Sequence, residues 1–193
     1  MGKGKLVTVT GIPGAGKSFM IKHLLKSDLG FEYLLSATTR NKREHEINGV
    51  DAYFMNVNEF LYLEHNNEFE TVDNIFGNYY GIFKNDIQKL DKAINLIKEF
   101  VFRNPGDIKS VFPYKFSTYI LPINLKVAIE ELGKRQTPEE EKRNRLDYIF
   151  SQWAWIKKDE NKQAFDAVHI NNYDEQSVVS FRNLIKKEIE KVM

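Results

Sequence analysis

The chain has no cysteine. Disulfides, thiol nucleophiles and thiolate metal sites are therefore excluded together, and a reducing compartment, the cytoplasm by default, is expected. Histidine is scarce: His23, His45, His65 and His169 are scattered, with none of the spacings that hold a metal between imidazoles. Surface or core positions are expected for them, and no metal site beyond one tied to a phosphate. Charge of one sign is also lacking, with 28 basic against 27 acidic residues. A broad electrostatic surface for nucleic acid or an anionic membrane is not expected, so any anion site must be local. No apolar run is long enough to span a bilayer, and the stretch after Met1 to Lys5 lacks the length of a signal-peptide core. Repeats and low-complexity linkers are missing too.

What is present fits one ordinary domain. The 193 residues are 42% hydrophobic and 28% charged, enough for one sizeable core and too few for two domains and a linker. Residues 5–10 are apolar and β-branched between glycines, which predicts a buried parallel strand. A glycine-rich loop follows, then a helical pattern from Ser18 to Lys26. Residues 31–39 read as a second strand, Asn58 to Glu64 as a helix capped by Asn56 or Asn58, and Phe69 to Ile75 as a strand. Residues 84–100 fit either a helix followed by a strand or one longer helix, and Asn-Pro-Gly-Asp at 104–107 is a turn. A strand at 116–121 and a helix from Leu125 to Leu132 follow. After the charge-dense stretch Lys134 to Arg145 come an aromatic helix from Tyr148 to Ile156 and a strand from Phe165 to Ile170. A last helix carries Val178, Phe181, Ile185, Ile189 and Val192 on one face. Trp153 and Trp155 are expected to pack that aromatic helix rather than stack on a base. Strands alternating with helices predict an α/β fold, a P-loop NTPase-type parallel sheet flanked by helices, with ligands at the carboxyl ends of its strands.

Gly11-Ile12-Pro13-Gly14-Ala15-Gly16-Lys17-Ser18 is a complete G-x-x-x-x-G-K-S/T loop, set between the first strand and the first helix. Glycines let the backbone curl around phosphate oxygens with its N–H groups inward, and the helix adds the positive end of its dipole. Lys17 is expected on the β- and γ-phosphates and the Ser18 hydroxyl on Mg²⁺. Such a loop specifies a bound nucleoside triphosphate but not what is done with it. A second signal lies at Arg40 and Arg43, three apart in a polar loop, with Asn78-Tyr79-Tyr80-Gly81 later. Two planar guanidinium forks and a tyrosine hydroxyl suit a phosphate monoester, although a solvated basic loop reads the same way in isolation.

Taken with Thr38-Thr39-Arg40-x-x-Arg43, Glu46-x-Asn48-Gly49-x-Asp51, Asn66-Asn67-Glu68-Phe69, Gly77 to Gly81 and Leu121-Pro122, the phosphate loop makes the chain resemble guanylate kinase over nearly its whole length. The resemblance implies a P-loop nucleoside monophosphate kinase that uses ATP with Mg²⁺. It implies a core of residues 1–35, 83–132 and 157–193, an acceptor-binding insertion at 36–82 and a short lid at 133–156. Ser36, Arg40, Arg43, Thr71, Tyr80 and Ile82 fall in the acceptor site, with both arginines and Tyr80 on its phosphate. Arg135 and Arg145 fall on the transferring phosphates, and Asn171 where the family contacts adenine. A monomer or simple homodimer is expected.

The departures fall mostly on base recognition. Thr71 occupies the position of the glutamate that reads the guanine N1 and N2 edge, and Ile82 that of a serine or threonine. Glu70 replaces the glutamate only through a one-residue shift, and Asp73 shares the Thr71 face but lies roughly 6–7 Å further along. Ala52 stands where a phosphate-binding tyrosine is usual, beside Tyr53. The family's aspartates near the Asn-Pro-Gly turn are not evident, and Glu99 is the nearest acidic residue. The acceptor phosphate is already ionised near neutral pH, its second pKa being about 6, so no general base is required. Lys17, Arg40, Arg135 and Arg145 with Mg²⁺ are the expected catalytic set, giving ADP and GDP or dGDP from ATP and GMP or dGMP. The same transfer to a different or modified nucleoside monophosphate, and a non-catalytic binding module of the same fold, are the alternatives.

Overall fold

A computed structural model describes residues 3–75, 77–100, 115–134 and 139–191, apart from the side chains of 140 and 141. The turn at 104–107 and Arg135 lie outside the described residues. The central sheet has five parallel strands, β1 (Leu6–Thr10), β2 (Phe31–Tyr33), β7 (Asn95–Glu99), β8 (Lys115–Pro122) and β9 (Ala167–Asn171), in the order β2-β7-β1-β8-β9. The strand before the phosphate loop thus occupies the centre, and both its neighbours end beside the loop. Alternation along β1 divides the core. Val7 and Val9 join Met20, Ile21 and Leu24 of α1 (Lys17–Leu25), whereas Leu6 joins Leu34, Ile82 and Leu96 on the opposite face.

The region left open at 84–100 is a short helix α3 (Lys84–Ile87), a 3₁₀ turn (Gln88–Lys92) and then β7. Helix α4 (Leu125–Gly133) is capped by Asn124, whose side chain accepts from the Val127 N–H at 3.0 Å. The charge-dense stretch and the aromatic helix join in one helix, α5 (Glu139–Ile156), whose Ile149 packs on the central core. Trp155 meets Phe165 edge-on at 6.3 Å, and Trp153 bridges two core clusters, so both indoles pack the helix. A single turn, α6 (Asp159–Lys162), precedes β9, and α7 (Glu175–Ile189) buries Phe181 and Ile185. Among the described residues no helix is long and apolar enough to cross a membrane.

The strand read at 31–39 is divided. The chain leaves the central sheet at Leu34, whose N–H still donates to the Ile97 carbonyl of β7 at 2.9 Å, and re-enters a second sheet as β3 (Ala37–Thr38). That second sheet adds β4 (Tyr53–Phe54), β5 (Phe69–Ile75) and β6 (Asn78–Phe83), in the order β4-β3-β6-β5. Helix α2 (Val57–His65) covers it, with Asn56 as the cap that accepts from the Glu59 N–H at 2.9 Å. The sheet has its own aromatic core. Phe60 stacks on Phe69 at 4.6 Å and on Tyr79 at 5.5 Å, and Phe69 meets Phe83 at 4.8 Å.

This separate core predicts separable stability. Phe60→Ala is expected to cost about 3–5 kcal/mol, the range for losing a buried aromatic side chain. Native-state hydrogen exchange should then show β5 and β6 losing protection while β1 keeps it; equal loss in both sheets would show one shared core.

Candidate functional site

One cavity of about 1020 Å³ runs from the phosphate loop to the second sheet. At one end Gly14 and Gly16 take φ of 81° and 85°, which only glycine adopts freely. A side chain on Gly14 would also run into the Ala128 carbonyl, and one on Gly16 into the Asn171 amide. Gly16 caps α1, so the helix N-terminus opens directly onto the loop. Lys17 is the first helical residue and only 8% exposed. Its ammonium donates to the Ile12 carbonyl at 3.0 Å and lies 3.5 Å from Glu99 Oε1. The Ser18 hydroxyl donates to Glu99 Oε2 at 3.0 Å. Glu99, the one acidic residue near the expected aspartates, thus ends β7 beside both reactive groups of the loop. A hydroxyl and a carboxylate so close are two hard oxygen donors and fit Mg²⁺. Among the described residues no group of three or more His, Asp or Glu could hold a metal, so the remaining ligands of such an ion are left to phosphate oxygens and water.

Asn171 lies beneath the loop. It is 1% exposed, donates to the Ala15 carbonyl at 2.9 Å and accepts from the Tyr173 N–H at 2.8 Å. One N–H and the oxygen of its amide are bonded to backbone, so Asn171 braces the loop at the position where the resemblance implies a contact with adenine. Tyr173 adds a second brace through its hydroxyl on the Gly14 carbonyl at 2.7 Å, and burial pushes that hydroxyl up to about 12.

At the other end stands the arginine pair. Arg40 donates bidentately to Glu46, at 2.9 and 2.8 Å, and Glu46 also accepts from the Arg43 backbone N–H at 2.8 Å. The Arg43 guanidinium lies 3.7 Å from the same carboxylate. Burial opposes charge on Glu46, but the Arg40 bond and the Arg43 N–H outweigh it and hold the carboxyl below its ordinary value. Burial likewise opposes charge on Arg40, and the bonds to Glu46 and the Tyr80 hydroxyl hold its proton more firmly than usual. The loop that carries Glu46 is tied by its own side chains: Asp51 accepts from the Ile47 N–H and Asn48 from the Phe54 N–H, both at 2.8 Å. The motif Glu46-x-Asn48-Gly49-x-Asp51 is therefore the frame of the arginine pair. Tyr80 lines the cavity opposite, and Arg145 reaches it from α5.

Between these ends lie Ser36, Thr71, Ile82 and Lys98. Thr71 pairs with Ile82 and Asp73 with Tyr80, so Asp73 shares the Thr71 face and lines the cavity. Glu70, at the register shift between Phe69 and Thr71, is exposed and outside that lining. Ala52 lines the cavity, whereas Tyr53 turns away and meets Phe83 edge-on at 5.5 Å, so it does not take the place of the missing tyrosine. Lys98 was missed by sequence reasoning. The signal was a lysine inside an otherwise apolar strand segment, Leu96-Ile97-Lys98, obscured while 84–100 fitted a helix equally well. Burial pulls its ammonium down to about 7.

A phosphate loop and a caged arginine pair facing each other across one cavity define a P-loop nucleoside monophosphate kinase. The chain belongs to the guanylate kinase family, whose family model, described as guanylate kinase, matches residues 3–188. A guanylate kinase of Fusobacterium nucleatum is 30% identical over 192 residues, covering 98% of this chain and 100% of that protein. One of Clostridium tetani is 31% identical, over 93% of this chain and 87% of its own length. One of Carboxydothermus hydrogenoformans is 36% identical, over 73% of this chain and 70% of its own. In fold, the crystal structure of guanylate kinase from Anaplasma phagocytophilum superposes with a TM-score of 0.74 at 20% identity, over 99% of this chain and 89% of that one.

The bracing role of Asn171 has a direct consequence. Asn171→Ala leaves the Ala15 carbonyl and the Tyr173 N–H unsatisfied, and is expected to cost about 1–3 kcal/mol. Affinity for ATP and for GTP should fall by the same factor, measured by titration calorimetry. A loss confined to ATP would make Asn171 an adenine-reading residue instead.

Proposed function

We propose that the chain transfers the γ-phosphoryl group of ATP to GMP or dGMP, giving ADP and GDP or dGDP. The observation that carries this reading is the single cavity with Lys17, Ser18 and Glu99 at one end and Arg40, Arg43 and Tyr80 at the other. Gly11 to Lys17 would cradle the donor phosphates, and Ser18 with Glu99 would hold Mg²⁺. That ion, when bound, neutralises charge on the phosphate oxygens. Arg40, Arg43 and Tyr80 would grip the acceptor phosphate, with Ser36, Thr71 and Ile82 beside its nucleoside. A guanidinium carries five N–H donors, so Arg40 keeps donors for phosphate while two serve Glu46. Lys17, Arg40 and Arg145, with Arg135 from the segment outside the described residues, would spread the charge of the moving phosphoryl group. No side chain needs to take a proton, because the attacking phosphate oxygen is already ionised. Catalysis then lies in alignment and charge neutralisation.

The proposed division is a core of residues 1–35, 83–132 and 157–193, an acceptor-binding insertion at 36–82 and a lid at 133–156, acting in the cytoplasm. A different or modified acceptor base is the second reading, favoured by Thr71, Ile82 and Lys98 in the middle of the cavity. A binding module without catalysis is disfavoured, because Lys17, Ser18 and Glu99 are all present and in contact.

The test is turnover of a panel of ribo- and deoxynucleoside monophosphates with Mg-ATP, followed by ADP release. Activity confined to GMP and dGMP is expected; activity confined to another base would overturn the acceptor and keep the chemistry. Lys17→Met should lower kcat by about 10²–10³, the usual loss for a donor aimed at transition-state charge. Glu46→Gln should raise the KM for the acceptor about tenfold, through the cost of ordering two freed arginines, and change kcat less. An unchanged KM would remove Glu46 from the acceptor site.

A further inference from the structure

Lys98 is 5% exposed and lines the cavity. An ammonium has three N–H donors and no acceptor. Among the described residues it has one hydrogen-bond partner, the Ser36 hydroxyl at 2.5 Å, and it lies 5.4 Å from the centre of the Tyr33 ring. Glu99 follows it in sequence but turns to the other face of the strand, toward Ser18. A buried cation bonded to one neutral hydroxyl and a ring face, with the carboxylates of Glu99 and Asp86 favouring its charge by less than burial opposes it, carries a desolvation cost that a ligand acceptor would offset.

Its place along the cavity says which part of the acceptor it meets. Ala37 and Thr38 pair with Gly81 and Tyr80 in antiparallel register, so Ser36 lies past Gly81 toward Ile82 and away from Tyr80. Tyr80 marks the phosphate end, lining the cavity together with Arg40 and Arg43. Ile82 is roughly 6–7 Å further along the strand, about the reach from a phosphate toward its base. There the cavity offers the apolar Ile82 and the small Thr71 beside one buried cation. This environment suits a flat ring that presents a strong hydrogen-bond acceptor, and it repels a ring that presents an amino group at the same point.

We propose that Lys98 is a specificity-determining residue that donates a hydrogen bond to the 6-oxo oxygen of the acceptor purine, so that the site selects 6-oxopurine nucleotides through a cation. The inference rests on the kinase reading above and deepens it. Ser36 orients the ammonium. Purines with an amino group at position 6 meet donor against donor and are rejected.

The experiment compares GMP with the ribonucleoside monophosphate of 2-aminopurine, which lacks the 6-oxo group, in the wild type and in Lys98→Met. Methionine is close in length and removes a buried charge, so the variant is expected to melt no lower than the wild type. Lys98→Met should lower kcat/KM for GMP by about 10- to 150-fold, the worth of a hydrogen bond to a charged group, and that for the 2-aminopurine nucleotide by less than about threefold. The KM for ATP should stay unchanged. Equal losses on both acceptors, or no loss on GMP, would overturn the role of Lys98 while leaving the kinase reading intact. Should the variant fail to fold, the wild type alone decides: a preference for GMP below about tenfold would sink the inference. A wild type that turns over no 6-oxopurine nucleotide would overturn both.

Discussion

Like charges must be brought together in this cavity. A nucleoside triphosphate and a nucleoside monophosphate repel each other strongly, and the cations that offset this repulsion also repel one another. Two carboxylates hold those cations in place. Glu99 gathers Lys17 and Ser18 at one end, and Glu46 gathers Arg40 and Arg43 at the other. Each carboxylate is itself placed by backbone geometry: Glu99 by the end of β7 next to the central strand, Glu46 by a loop tied through Asn48 and Asp51. With a net charge of +1 for the whole chain, the cationic field is confined to where these anchors put it.

The period of a strand then distributes the remaining work. In the parallel register Thr8 pairs with Lys98 and Val9 with Glu99. Successive side chains leave opposite faces of the sheet, so Glu99 turns toward α1 and the phosphate loop while Lys98 turns toward Ser36 and the second sheet. Two adjacent residues on one strand thereby serve the donor and acceptor sides of the same cavity. The second sheet, with its own aromatic core around Phe60, carries the arginine frame as a unit.

How much of this was legible in the sequence depends on the range of the interaction. The phosphate loop was fully legible, because its conformation is set by local glycines and its chemistry by two adjacent residues. The parallel sheet flanked by helices followed from strand and helix alternation, since most segments carried their own period, whereas the order of its strands needed the fold. The split of residues 31–39 was not legible: both halves have strand composition, and only their pairing with different sheets divides them. Arg40, Arg43 and Tyr80 stood out through resemblance, but the binding of both arginines by Glu46 needed the folded loop. Asn171 shows the limit in the other direction. Its position was marked by resemblance to the family, but its bond to the Ala15 carbonyl needed the folded chain, while its bond to the Tyr173 N–H, two residues on, is local. Lys98 was hidden because the segment before it fitted a helix as well as a strand.

The central claim is that one continuous cavity holds two nucleotides end to end, phosphates facing. Its most direct test is calorimetric titration with adenosine and guanosine joined through five phosphates. The account predicts binding at least about 10²-fold tighter than ATP alone, the gain from linking two sites at matched spacing, and weakening by either Lys17→Met or Arg40→Met. Affinity no better than that of ATP, insensitive to Arg40→Met, would contradict it.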